Sequence, residues 1–162
     1  MSEIFNLQKF VWTESDFEQM NWREARVYAF AFLPERTEFL LDIDYILQRI
    51  YQPENANSQR FLVAAATLVF ENVSDLRIEL EPNQEIEIIN IERSAHRKSK
   101  NSEPINRKTE WKWIIKTNQG DIGFRAVGYK QHFKGMPILG QEHALDLDLR
   151  GGFSFSRVNE VN

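Results

Sequence analysis

The chain has 162 residues, a length typical of one domain, and its 42% hydrophobic content is ample for a packed core. It contains no cysteine, which excludes disulfides, zinc–thiolate sites, iron–sulfur clusters and thiol catalysis. Its 20 basic and 24 acidic residues give a formal net charge of -4, which disfavours a dedicated nucleic-acid binder. We therefore expect residues 1–162 to form one globular domain.

The N-terminus carries neither the basic region nor the apolar region of a secretion signal. No apolar run in the chain reaches the length that crosses a membrane as a helix. These features predict a cytoplasmic protein without a membrane partner.

Strand patterns dominate the first half of the chain. Apolar residues alternate with polar ones, or continue over runs rich in β-branched and aromatic residues, as in half-buried and fully buried strands. The predicted elements are a short helix at 13–18, strands at 23–33, 38–45, 61–73, 76–80 and 85–91, a turn at 34–37 that makes the first two strands a hairpin, and a polar loop at 52–58.

The clearest hairpin lies in the second half. Trp111, Trp113 and Ile115 share one face of a strand, a turn follows at 118–121, and alternation resumes over 122–126. Two tryptophans on one strand face indicate core positions.

The remaining segments are less regular. The mostly basic stretch 93–108 is interpreted as a surface loop, and 128–140 as an irregular connection. Alternating leucines predict a strand at 145–149, and a glycine bend at 151–152 precedes a predicted last strand at 153–157.

Seven or eight strands with few helix signals predict a mainly β fold, either a β-sandwich or a strongly curved antiparallel sheet with one or two short helices. An α+β fold is the alternative.

Two acidic pairs are the main candidates for chemistry. Asp42 and Asp44 lie two apart on a predicted strand, so their carboxylates share one face, and Asp146 and Asp148 repeat the pattern. Such a pair can bind a divalent cation, although a solvated acidic strand face is the more common arrangement. Whether the two pairs meet is left open.

Arg125 stands in an otherwise apolar strand and therefore needs water or a carboxylate, for which Asp42 or Asp44 is a candidate. An ion pair that fixes strand register and a ligand-binding arginine are equally consistent with this position. The candidate binding face consists of both acidic pairs and two arginines, namely Asp42, Asp44, Asp146, Asp148, Arg125 and Arg157.

No catalytic, cofactor or metal residues are predicted. The three histidines, His96, His132 and His143, lack the spacing of metal ligands, and no Gly-x-Ser-x-Gly nucleophile motif is present. The basic stretch 93–108 followed by Trp111 fits a protein-binding element better than a nucleic-acid site.

Four segments, 40–46, 65–73, 110–113 and 128–137, resemble a family of uncharacterised bacterial proteins, a domain of unknown function. That resemblance covers most of the chain and implies no activity. The early tryptophan, the strand-rich body and the acidic balance are also similar to immunity proteins of bacterial toxin systems, which bind a toxin stoichiometrically and cover its active site.

The leading hypothesis is thus a non-enzymatic cytoplasmic protein-binding module, of which an immunity-type inhibitor of a toxin is one form. One alternative is a small divalent-cation-dependent hydrolase or transferase that uses Asp42 and Asp44. A second is a carrier or sensor for an apolar ligand held between sheets.

Overall fold

A computed structural model of the chain describes residues 7–51, 59–98 and 109–157. Within these ranges no helix has the length and apolar character needed to cross a bilayer. The elements are the strands β1 (Val11–Thr13), β2 (Arg26–Leu33), β3 (Glu38–Tyr51), β4 (Gln59–Glu71), β5 (Ser74–Leu80), β6 (Ile86–Lys98), β7 (Thr109–Thr117), β8 (Gly120–Ala126), β9 (Gly128–Phe133) and β10 (Ile138–Gly140), a 3-10 helix (Glu14–Gln19) and an α-helix α1 (Leu147–Arg150).

The strands form one antiparallel sheet in the order β1-β9-β4-β3-β2-β6-β7-β8-β5, with β10 paired to β4. This arrangement confirms the predicted mainly β fold. The sheet has two halves joined at a narrow corner, because β2 pairs with β6 only through Arg26 and Val27. Beyond that corner the halves diverge and face each other.

The core fills the space between the two halves. Phe39 of β3 and Phe70 of β4 approach Phe124 of β8, with ring centroids 5.7 Å and 4.6 Å apart. Trp113 of β7 is fully buried and meets Phe70 edge-on at 5.3 Å. Aromatic contacts of this kind add to the free energy gained by burying apolar surface.

Local patterns located most of the strands correctly. The β2–β3 and β7–β8 hairpins are confirmed. The predicted short helix is the 3-10 helix. At its start, the Thr13 amide donates a hydrogen bond to the Asp16 carboxylate at 2.9 Å. Gly120 is required at the β7–β8 turn. Its φ is +130°, and an added Cβ would lie 2.0 Å from the Glu79 carbonyl oxygen.

Several predictions were wrong. Residues 93–98 belong to β6 rather than to a surface loop, and the segment predicted to be irregular contains β9. The alternating leucines at 145–149 do not form a strand, because helix α1 begins at Leu147. It ends at Arg150, where Gly151 caps it with a φ of +80°. The predicted last strand at 153–157 is also wrong, because these residues form no strand. The predicted loop at 52–58 and the rest of the basic stretch, 99–108, lie outside the described residues.

Candidate functional site

Residues 145–157, which we call the strap, cross the outer face of β2, β3 and β4. At its start, Leu145 packs against a buried apolar cluster formed by Ile46, Phe61 and Val63. Near its end, the carbonyl of Ser156 accepts a hydrogen bond from the Thr67 hydroxyl at 2.8 Å. The strap therefore makes a third layer over a sheet face that the sequence pattern had left open to solvent.

Asp44 is fully buried beneath the start of the strap. One of its carboxylate oxygens accepts hydrogen bonds from the Tyr28 hydroxyl and the Leu145 amide, both at 2.7 Å. The other oxygen accepts a bond from the Arg150 Nε at 3.0 Å. The Tyr28 hydroxyl also lies 2.9 Å from the Leu145 carbonyl oxygen, so tyrosine and carboxylate together fix the strap at this residue.

Asp42 is also fully buried and is held from three directions. The Arg150 guanidinium binds both of its oxygens, at 2.6 Å and 3.0 Å, in the bidentate geometry that suits a carboxylate. The Lys134 ammonium lies 2.6 Å from one oxygen, and the Ser154 amide donates to the other at 3.0 Å. A strand of the sheet, β3, is thereby joined to the end of β9 and to the strap.

Arg150 is the centre of this network. Its side chain has no exposed surface, donates to the carbonyls of Ile43 and Gly152 as well as to both carboxylates, and stacks over the Tyr28 ring at 3.9 Å. Two carboxylates thus face two cations, Arg150 and Lys134, with no unpaired charge. Burying such a set is costly unless every member is paired, and here each one is.

The electrostatic consequence is clearest at Asp42. Burial on its own would raise the pKa of this carboxyl, but the hydrogen bonds from Arg150, Lys134 and the Ser154 amide outweigh it and hold the pKa below its ordinary value. Burial, reinforced by the bond to Asp44, raises the pKa of the Tyr28 hydroxyl far above its usual range, so this group acts as a hydrogen-bond donor.

The solvated acidic face predicted for Asp42 and Asp44 is therefore wrong. All four of their carboxylate oxygens accept hydrogen bonds from the protein, which leaves no open ligand position for a divalent cation. The described residues also contain no cluster of three or more His, Asp or Glu side chains arranged to hold a metal ion.

The other candidate residues are dispersed. Arg157 forms a bidentate ion pair with Glu38 at 2.8 Å and 3.2 Å, fixing the end of the strap. The suggested pairing of Arg125 with Asp42 or Asp44 is wrong, because Arg125 lies in the other half of the sheet and donates to the Ala95 carbonyl at 3.1 Å. Asp146 and Asp148 are exposed on the strap and do not meet the first acidic pair.

A cleft of about 450 Å³ opens beside this network. Tyr28 and Leu145, both bound to Asp44, line it together with Leu147 and Phe153 of the strap. The Phe153 ring is 61% exposed and packs on Tyr28 with ring centroids 5.9 Å apart. The cleft also borders Arg26, Val27, Glu85 and Asp146.

From this cleft an open sheet edge runs along β2. Because β6 pairs only with Arg26 and Val27, no described strand pairs with residues 28–33 on that side. Phe30, Phe32 and Leu33 on this segment are exposed by 38%, 43% and 38%. We call the cleft and the open segment 28–33 together the β2 edge surface.

The sequence reasoning missed Arg150, Lys134 and Tyr28. One local signal could have identified Arg150. It lies directly before Gly151 and Gly152 at the end of a leucine-rich segment, and a basic residue followed by glycine is typical of the last turn of a helix. Nothing local indicates Lys134, whose partner Asp42 lies 92 positions away.

Comparison of the chain with protein-family models, with curated proteins and with solved structures finds no match.

Replacing Asp42 by asparagine should destabilise the protein strongly. The change leaves the buried cations Arg150 and Lys134 with one carboxylate between them, a situation that costs about 3–5 kcal/mol in comparable buried networks. Urea unfolding measures the loss. Asp148→Asn, an exposed change on the same strap, is the matched control and should stay within about 0.5 kcal/mol of the unmodified chain. Equal stabilities for the two variants would contradict a structural role for the network.

The contribution of Asp42 should also depend on pH. Because its pKa is lowered in the folded state, its ionised form stabilises the fold fully above the pKa of the unfolded chain, about 3.9, and the contribution is lost as pH falls through the folded-state value. The stability difference between the unmodified chain and Asp42→Asn should therefore shrink on acidification below about pH 4. A difference that is constant from neutral pH into this range would contradict the assignment.

Proposed function

We propose that the protein is a non-enzymatic binding module that holds an extended segment of a protein partner against the open edge of β2. The observation that carries this proposal is the unpaired stretch 28–33, whose backbone groups can extend the sheet by one strand. Main-chain hydrogen bonds would supply affinity, and the cleft beside the edge would receive a side chain of the partner.

The β2 edge differs from the other edges of the same sheet. Natural sheets protect their edges by keeping the strand short or by placing charged residues on it. At one end of the strand order β1 has 3 residues, and at the other end β5 carries Asp75, Arg77 and Glu79. The stretch 28–33 contains no charged residue and no proline. Its apolar character therefore contrasts with both ends of the strand order.

The strap adds exposed apolar side chains of its own. Leu147, Leu149 and Phe153 are 46%, 61% and 61% exposed, and two of them line the cleft. Aromatic and large aliphatic side chains of this kind form the centre of many protein interfaces. Their position depends on the Asp42 and Asp44 network, which fixes the strap that carries them.

The rim of the β2 edge surface is acidic. Glu85 and Asp146 line the cleft and are exposed, and neither has an ion-pair partner among the described residues, whereas Arg26 in the same cleft lies 3.9 Å from Glu87. Uncompensated carboxylates around an apolar centre favour a partner segment that carries lysine or arginine. An immunity-type role, in which the partner is a toxin, is the specific form of this function that the sequence resemblance implies.

The alternative of a cation-dependent hydrolase has less support. It needs Asp42 and Asp44 to be open to a metal and a substrate, whereas both carboxylates are occupied by Arg150, Tyr28 and the strap amides. Breaking these bonds would leave the buried Arg150 guanidinium without a carboxylate partner, which is unfavourable.

Selection from a random peptide library displayed on phage tests the proposal. We expect the protein to enrich peptides that combine alternating apolar residues with basic ones, and binding should protect the amides of residues 28–33 from hydrogen exchange. Phe32→Lys places a charge on the open edge and should weaken the selected peptides about tenfold or more.

Met136→Lys is the matched control, because Met136 is 45% exposed in the connection after β9 and lies outside the β2 edge surface. Its binding should be unchanged. Failure to enrich any peptide, equal losses in the two variants, or exchange protection confined to another part of the chain would refute the proposal.

A further inference from the structure

A second concave surface lies on the other half of the sheet, on the outer face of β5, β8 and β7. The groove has a volume of about 610 Å³, and Gly123 is among the residues that line it. Gly123 pairs across the sheet with Arg77 of β5 on one side and Ile114 of β7 on the other. Because glycine has no side chain, the row between Arg77 and Ile114 is left open, and the neighbouring side chains form walls around the gap.

Three of these walls are cationic. Arg125 follows Gly123 by two residues and therefore projects from the same face of β8, and Lys112 lies directly opposite Arg125 on β7. Arg77 closes the groove from the edge strand. The ladder is irregular between Ser74 and Arg77, a feature that bends a strand locally.

These charges are not neutralised within the described part of the chain. Arg77 and Lys112 have no ion-pair partner there, and Arg125 donates only to a backbone carbonyl. The lining contains one carboxylate, Asp75, which forms an ion pair with Arg97, with 3.8 Å between Oδ2 and Nη2. Three cations around an empty position are unfavourable to one another, so an anion placed among them would be stabilised.

We infer that the groove over Gly123 binds a phosphate-bearing small anion. Two guanidinium groups suit phosphate oxygens because each can donate two parallel hydrogen bonds, and the ammonium of Lys112 adds a third positive charge. The open volume over Gly123 admits an anion larger than a single phosphate, such as pyrophosphate. The groove and the β2 edge surface share no residue, so anion binding here can be tested independently of the proposed protein partner.

Isothermal titration of the full chain with inorganic pyrophosphate, at an ionic strength matched with chloride, tests this inference. We expect saturable binding of one pyrophosphate per chain. Arg77→Gln should weaken it about tenfold or more, because a charge-assisted bidentate contact is lost at an exposed position that does not support the fold.

Gly123→Val is the sharper variant. A Cβ at this position meets only the Trp113 carbonyl oxygen, at 3.9 Å, so the strand can accept it, while the added side chain fills the groove and leaves all three cations in place. It should abolish binding without changing the thermal unfolding temperature by more than a few degrees.

Lys116→Gln is the matched control for charge, since Lys116 lies on the same strand face but pairs with Glu92 at 3.4 Å. Its affinity for pyrophosphate should be unchanged. The inference is overturned if the unmodified chain does not bind pyrophosphate at millimolar concentrations, if Lys116→Gln weakens binding as much as Arg77→Gln, or if folded Gly123→Val binds normally.

Discussion

The buried ion pairs between β3 and the strap are the interaction on which the rest of the structure depends. Arg150 joins Asp42 and Asp44 in one network, and Lys134 completes its charge balance. Because a buried charge is tolerated only when it is paired, the strap has one favourable position on the sheet. That position places Phe153 against Tyr28 and so builds one wall of the cleft.

Local sequence patterns predicted the hairpins because their determinants are neighbours in the chain. The β7–β8 hairpin needs only alternating apolar residues and Gly120 at its turn. The burial of Asp42 could not be predicted in this way, because its cations lie 92 and 108 positions later. A carboxylate pair on a strand gives the same sequence pattern whether water or a strap covers it. The regular spacing of leucines in 145–149 was likewise insufficient to distinguish a strand from one helical turn ended by Gly151.

The two candidate surfaces are chemically opposite and use different parts of the sheet. The β2 edge surface joins exposed apolar residues to an acidic rim that includes Glu85 and Asp146, whereas the groove over Gly123 is lined by Arg77, Lys112 and Arg125. A sheet with two separate halves can display both, because the corner at Arg26 and Val27 separates them. If both proposals hold, a partner on the β2 edge surface would leave the groove over Gly123 accessible.

The central claim is that the network fixes the strap, and native-state hydrogen exchange of Arg150→Met tests it most directly. The amides of Leu145 and Ser154 donate to Asp44 and Asp42, so they report on the two ends of the network. We expect both amides to lose protection in this variant while the amides of β7 and β8 keep theirs. Unchanged protection at Leu145 and Ser154 would contradict the claim, because the strap would then be held without the arginine.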